Sequence, residues 1–81
     1  MKGEDKKTWT RMCGVLLSED YRSYVQKCEY SKTDWGEVVT ITYKDGDTTR
    51  INVNCNSQGA ILHEIVREVY GDGAYGRMGD Y

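Results

Sequence analysis

The chain has 81 residues and a formal net charge of −2 from 11 basic and 13 acidic residues, enough for one small domain and no more. The charge is uneven: residues 1–30 sum to +1 and residues 31–81 to −3. That balance disfavours a polyanionic partner, because phosphate binding leaves a basic footprint.

Residues 1–7, MKGEDKK, read as a frayed polar start, and residues 8–70 as the folded core. Trp9, Met12, Cys13, Leu16 and Leu17 recur at helical spacing and predict a first helix over roughly residues 5–18, with Gly14 on the far side. Residues 19–30 fit two patterns. Tyr21, Tyr24, Val25 and Cys28 match a helical stripe, while Tyr24, Cys28 and Tyr30 fit one strand face with Gln26 out of phase. A lone hairpin is marginal, so a third strand over about 22–30 is the choice that completes a sheet able to cover two helices. Ser31 to Asp34 then form a turn, and Trp35-Gly36 lead into the next strand.

Val39, Ile41 and Tyr43 alternate with Val38, Thr40 and Thr42, and Ile51, Val53 and Cys55 alternate with Arg50, Asn52 and Asn54. A two-residue Asp45-Gly46 loop between these strands would put the two apolar sets on opposite faces. A three-residue loop, Lys44-Asp45-Gly46, aligns them, pairs Val39 with Ile51, and leaves Gly46 where positive φ is required. The helix that follows is capped by Asn56 or Ser57. Leu62, Ile65, Val66 and Val69 form its inward stripe, Ile61 and Tyr70 flank it, and Gly71 stands where an αL cap belongs. Residues 71–81 hold four of the nine glycines and read as a Gly/Tyr-rich tail.

The expected fold is therefore α+β, a single domain of order α-β-β-β-α. Its three-stranded antiparallel sheet packs against two helices.

The residue types that carry chemistry are sparse. His63, the one histidine, falls on the polar side of its helix with no orienting partner in sight. Cys13, Cys28 and Cys55 form no CxxC pair, so neither zinc nor redox chemistry is indicated, and free thiols in a reducing compartment are expected. Asp45 and Asp47 flank a turn that offers too few oxygens for calcium. GDGAYG at residues 71–76 lacks the strand and the Lys-Ser/Thr ending of a phosphate loop. The longest aliphatic run, Val15-Leu16-Leu17, is too short for a membrane span. The expectation is a non-enzyme with no cofactor and no metal, acting in the cytoplasm of the host cell.

The order α-β-β-β-α is similar to the double-stranded-RNA-binding domain, which implies a small nucleic-acid-binding module as one reading. That family sets basic residues at the start of its second helix; here the positions are Asn56-Ser57-Gln58-Gly59-Ala60. The cations available to such a reading are Lys2, Lys6, Lys7 and Arg11. The chain also resembles small phage-encoded anti-CRISPR proteins in the Glu19-Asp20-Tyr21 start, the Tyr43-Lys44-Asp45-Gly46-Asp47 hairpin and the helix from Ile61 to Val69. This resemblance implies an inhibitor that occupies a nucleic-acid site of an RNA-guided nuclease, where carboxylates bind guanidinium groups in place of guanine. The partner-binding residues expected on this reading are Asp45, Asp47, Glu64, Glu68, Asp72, Tyr75 and Tyr81. A homodimer joined through an edge strand or a Tyr patch is a third reading, which leaves the protein monomeric or dimeric.

Overall fold

The computed structural model describes residues 3–54 and 56–71. Helix α1 spans Gly3–Ser18, strands β1, β2 and β3 span Val25–Thr33, Gly36–Tyr43 and Thr48–Asn52, and helix α2 spans Gln58–Tyr70. The strands form one antiparallel meander in the order β1-β2-β3. The α+β fold and the α-β-β-β-α order are those the sequence implies, with the sheet packed on two helices.

The β2–β3 turn follows from matching the apolar faces. Val39 stands opposite Ile51 and Ile41 opposite Thr49. Gly46 has φ +95, its N–H donates to the Tyr43 carbonyl at 2.9 Å, and Tyr43 N–H donates to the Asp47 carbonyl at 2.8 Å. This is the three-residue loop, and it needs a glycine at that φ.

Strand β1 runs three residues later than the expected 22–30. Val25 faces Tyr43 and Lys27 faces Thr42, so Gln26 is the extra residue of a β-bulge. The bulge moves Val25 onto the same buried face as Cys28 and Tyr30, which strict alternation forbids. Tyr24 takes no strand position; its φ is +60 and it is exposed. The expected turn at Ser31–Asp34 is also displaced, because Thr33 pairs with Gly36 and only Asp34 and Trp35 turn.

Helix α1 differs from expectation in its start and its facing. It begins at Gly3, inside the stretch expected to fray. Thr10, Cys13 and Gly14 are buried, with Trp9 and Leu17 packed at the margin, whereas Met12 and Leu16 are 55% and 70% exposed. The reason is close approach. Gly14 lies against the backbone of Cys28, where any side chain would collide, so the helix descends on β1 through its smallest residues.

Helix α2 is capped as expected. Ser57 Oγ accepts from Ala60 N–H at 3.2 Å. Ile61 and Ile65 are its fully buried residues, while Leu62 sits at the solvent margin. Gly71 has φ +87 but an extended ψ of 167, so it ends the helix without the αL geometry; its N–H still donates to the Arg67 carbonyl at 2.8 Å.

The core joins Cys13, Val25, Cys28, Tyr30, Val39, Ile41, Val53, Ile61 and Ile65. Each Val or Ile buried there contributes roughly 1.5–3 kcal/mol. Among the described residues no helix is long and apolar enough to cross a membrane.

Candidate functional site

Both helices rise from the end of the sheet that holds the β1–β2 turn to the end that holds the β2–β3 hairpin tip. Trp9 Nε1 donates to the Gln58 carbonyl at 2.7 Å, joining the first half of α1 to the start of α2, and Lys6, a turn nearer the start of α1, pairs with Glu37 at the lower end. At the upper end Lys44 Nζ donates to the Ser18 carbonyl at 3.1 Å, and Lys44 N–H donates to the Tyr24 carbonyl at 2.9 Å. The upper end therefore collects both helix C-termini and the hairpin tip.

Carboxylates gather at that upper end. Asp45 and Asp47 are exposed on the tip, and Asp45 Oδ1 accepts from Asp47 N–H at 3.0 Å, which fixes the shape of the loop. Glu68 is close enough to Tyr43, at the root of the hairpin, that its charge helps raise that phenol's pKa; burial is the larger cause. Glu64 lies one turn back along α2 and forms an ion pair with Arg67 at 2.9 Å. The structure thus brings Asp45, Asp47 and Glu68 to one end, and leaves Glu64 lower and already paired. Asp72, Tyr75 and Tyr81 lie outside the described residues.

Asp20 belongs to this end and was not among the expected site residues. Its Oδ2 accepts from Tyr70 OH at 2.5 Å, and its Oδ1 accepts from Arg22 N–H at 3.0 Å and from Arg22 Nε at 3.2 Å. Tyr70 first and Arg22 second hold its carboxyl down at about 2. The Tyr70 phenol is pushed up to about 12, by burial and then by Asp20. The contact closes the end of α2 onto the loop after α1, across a separation of fifty residues that no local pattern can signal.

The lower end carries a second tyrosine–carboxylate contact. Glu37 Oε2 accepts from Tyr30 OH and from Lys6 Nζ, the latter at 2.9 Å, with the Lys6 and Glu37 side chains only 12% and 15% exposed. Burial, and then Glu37, push the Tyr30 phenol up to about 12. Glu37 N–H donates to Asn54 Oδ1 at 2.5 Å. Lys6 is consequently a structural cation, not one held out for a polyanion.

Neither buried thiol is poised to react. Burial raises the Cys13 pKa, and burial together with neighbouring Cys13 pushes Cys28 to about 12, so both stay protonated at neutral pH. Cys55 lies outside the described residues. His63 is exposed on the outer side of α2. Among the described residues no group of three or more His, Cys, Asp or Glu could hold a metal ion.

Comparison with protein families, characterised proteins and solved structures finds no match.

Proposed function

We propose that the chain is a non-enzymatic protein-binding inhibitor. On this reading it presents its acidic end to a cationic, nucleic-acid-binding surface of another protein, as an anti-CRISPR protein would to an RNA-guided nuclease. The observation that carries the reading is the convergence of Asp45, Asp47 and Glu68 on the end formed by the hairpin tip and the helix C-termini. Lys44 caps the C-terminus of α1, so it is the carboxylates of that end that favour guanidinium and ammonium groups. The Asp45–Asp47 loop bond sets the tip before binding, which lowers the ordering cost of association.

Nucleic acid fits less well. Lys6 is committed to Glu37, and the first turn of α2, Gln58 to Ile61, carries no cation. The acidic end would repel a phosphate backbone.

The test is double charge reversal, Asp45→Lys with Asp47→Lys, in affinity capture from host-cell extract at physiological ionic strength. Both residues are exposed, so the fold should persist. The proposal expects the wild-type chain to retain a nucleic-acid-binding protein that the double variant loses, and nucleic acid competitor to displace it. Equal capture by both chains would refute the role of the hairpin tip.

A further inference from the structure

The outer side of the two helices carries an apolar strip that the core does not use. Trp9 Nε1 donates to the Gln58 carbonyl and Tyr70 OH to Asp20 Oδ2, ties that span 49 and 50 residues of sequence. A nearly constant offset means that α1 and α2 run side by side in the same direction, so Met12 stands level with Leu62 and Leu16 with Val66. Met12 and Leu16 follow Trp9 at helical spacing, which sets them on the side of α1 that meets α2. Leu62 and Val66 divide the run from Gln58 to Tyr70 into single turns, which sets them on the side of α2 that meets α1.

The strip between the helices is open. Met12, Val15 and Leu16 are 55%, 53% and 70% exposed, Leu62 is 36% exposed, and Val66 is half-buried beside it. The four exposed side chains present on the order of 400 Å² of apolar surface, a patch large enough to mark an interaction site. Carboxylates stand at both ends of its α1 wall, Asp5 one turn before Trp9 and Glu19 just past Leu16. Both are exposed, and neither has an ion-pair partner among the described residues. The cations nearby are engaged: Arg22 with Asp20, Lys44 with the Ser18 carbonyl and Arg67 with Glu64. Lys7 and Arg11 leave α1 over β1, on the side away from α2. The groove is therefore apolar along its length and acidic at its ends.

We propose that this groove binds a basic amphipathic helix of a partner protein. The apolar stripe of that helix covers Met12, Leu16 and Leu62, and Lys or Arg on its flanks meets Asp5 and Glu19. From Trp9 to Asp20 the groove is about 16 Å long, three helical turns, which matches anchors at i, i+4 and i+7. A second copy of this chain fits less well. A stable dimer ordinarily buries about 800 Å² per partner, twice this patch, and two-fold pairing would join two stripes whose uncompensated charges are acidic. The groove is separate from the hairpin tip and does not rest on the role proposed for Asp45 and Asp47.

The test uses a fluorescein-labelled peptide of about 18 residues, long enough to form helix in water, with Leu on one stripe and Lys on its flanks. Binding is read by anisotropy and by methyl and amide shifts of the full chain. Three comparisons accompany it: the peptide with Glu in place of Lys, the chain carrying Met12→Gln with Leu16→Gln, and the chain carrying Asp45→Lys with Asp47→Lys. The expected result is saturable binding that shifts Met12, Leu16 and Leu62. It should weaken about tenfold or more for the Glu peptide and for the Met12 and Leu16 double variant. The hairpin-tip variant should bind the peptide about as tightly as the wild-type chain, so failure of the groove and failure of the tip are told apart. Met12 and Leu16 are exposed, and an otherwise unchanged amide spectrum verifies that their double variant is folded. Equal binding of the Glu peptide, equal binding by the groove variant, or loss of binding in the tip variant would overturn the proposal. So would shifts confined to other surfaces, no binding at about millimolar peptide, or Met12 and Leu16 shifts that follow chain concentration alone, the sign of a second copy in the groove.

Discussion

Substituting Gly14 with alanine tests how α1 sits on the sheet, and the two competing arrangements predict opposite signs. An isolated helix gains about 1 kcal/mol when an interior glycine becomes alanine. Here the new Cβ would overlap the Cys28 backbone nitrogen and stand 3.1 Å from Cys28 Cβ and 3.2 Å from its Cα. Cys28 lies mid-strand in β1, where the pairing of its neighbours with β2 holds the backbone, so the helix must withdraw by on the order of an ångström, which forfeits a quarter to a half of each affected contact. Thr10, Cys13 and Leu17 lie on the same face and share that loss. Overpacking of this kind costs roughly 1–3 kcal/mol, and subtracting the propensity gain leaves Gly14→Ala without net gain and destabilising by up to about 2 kcal/mol. Leu16→Ala is the companion experiment; at 70% exposure it should change stability by no more than about 0.5 kcal/mol. Urea denaturation of the three chains gives both numbers. If Gly14→Ala stabilises while Leu16→Ala costs about 2–5 kcal/mol, then the arc through Met12 and Leu16 is the buried one and the packing described here is wrong.

Three further predictions concern polar groups. Thr10 Oγ1 is fully buried with no hydrogen-bond partner among the described residues, so Thr10→Val should raise stability by about 1 kcal/mol in the same urea assay. Glu37→Gln removes the counter-charge that Lys6 has among the described residues, in a largely buried setting, and should cost about 2–3 kcal/mol, less than the roughly 3–5 kcal/mol of a fully buried pair. In that variant the Tyr30 phenol should ionise below its wild-type value of about 12 yet above 10, since burial is the larger cause of its shift; phenolate absorbance reports this. Tyr70→Phe removes the leading cause of the low Asp20 pKa, so the carboxyl should titrate nearer its usual 3.8 by NMR while Arg22 still holds it below. The signs at the two pH extremes differ. Asp20, depressed to about 2, stabilises the fold above pH 3.8 and loses that contribution as pH falls through about 2. Tyr70, raised to about 12, stabilises it below pH 10 and loses that contribution as pH rises through about 12.

The hairpin and the extent and cap of the last helix were legible because their information is local, whereas its inward face is turned from the expected stripe, with Ile61 buried and Leu62 exposed. Apolar alternation on two adjacent strands, a glycine at the turn and a serine cap each constrain the backbone within a few residues. The facing of α1 was not legible, because its decisive residue has no side chain and hydrophobic periodicity assigns it no weight. Met12 and Leu16 fit an apolar stripe, yet Gly14 and Thr10 let the backbone approach β1 more closely than that stripe would permit. Strand β1 was displaced for a related reason, since a single bulged residue, Gln26, inverts the alternation on which strand reading depends. At the acidic end, Asp45 and Asp47 were readable from the turn, and Glu68 from its helix face. The link from Asp20 to Tyr70 arises only from tertiary packing.

The most direct test of the acidic-end reading is hydrogen exchange on the chain alone and in complex with whatever protein it captures. Slowed exchange at the hairpin tip, residues 44–47, and in the last turn of α2 is the predicted result. A footprint confined to α1 and the β1 edge, with the tip exchanging as it does in the free chain, would contradict it.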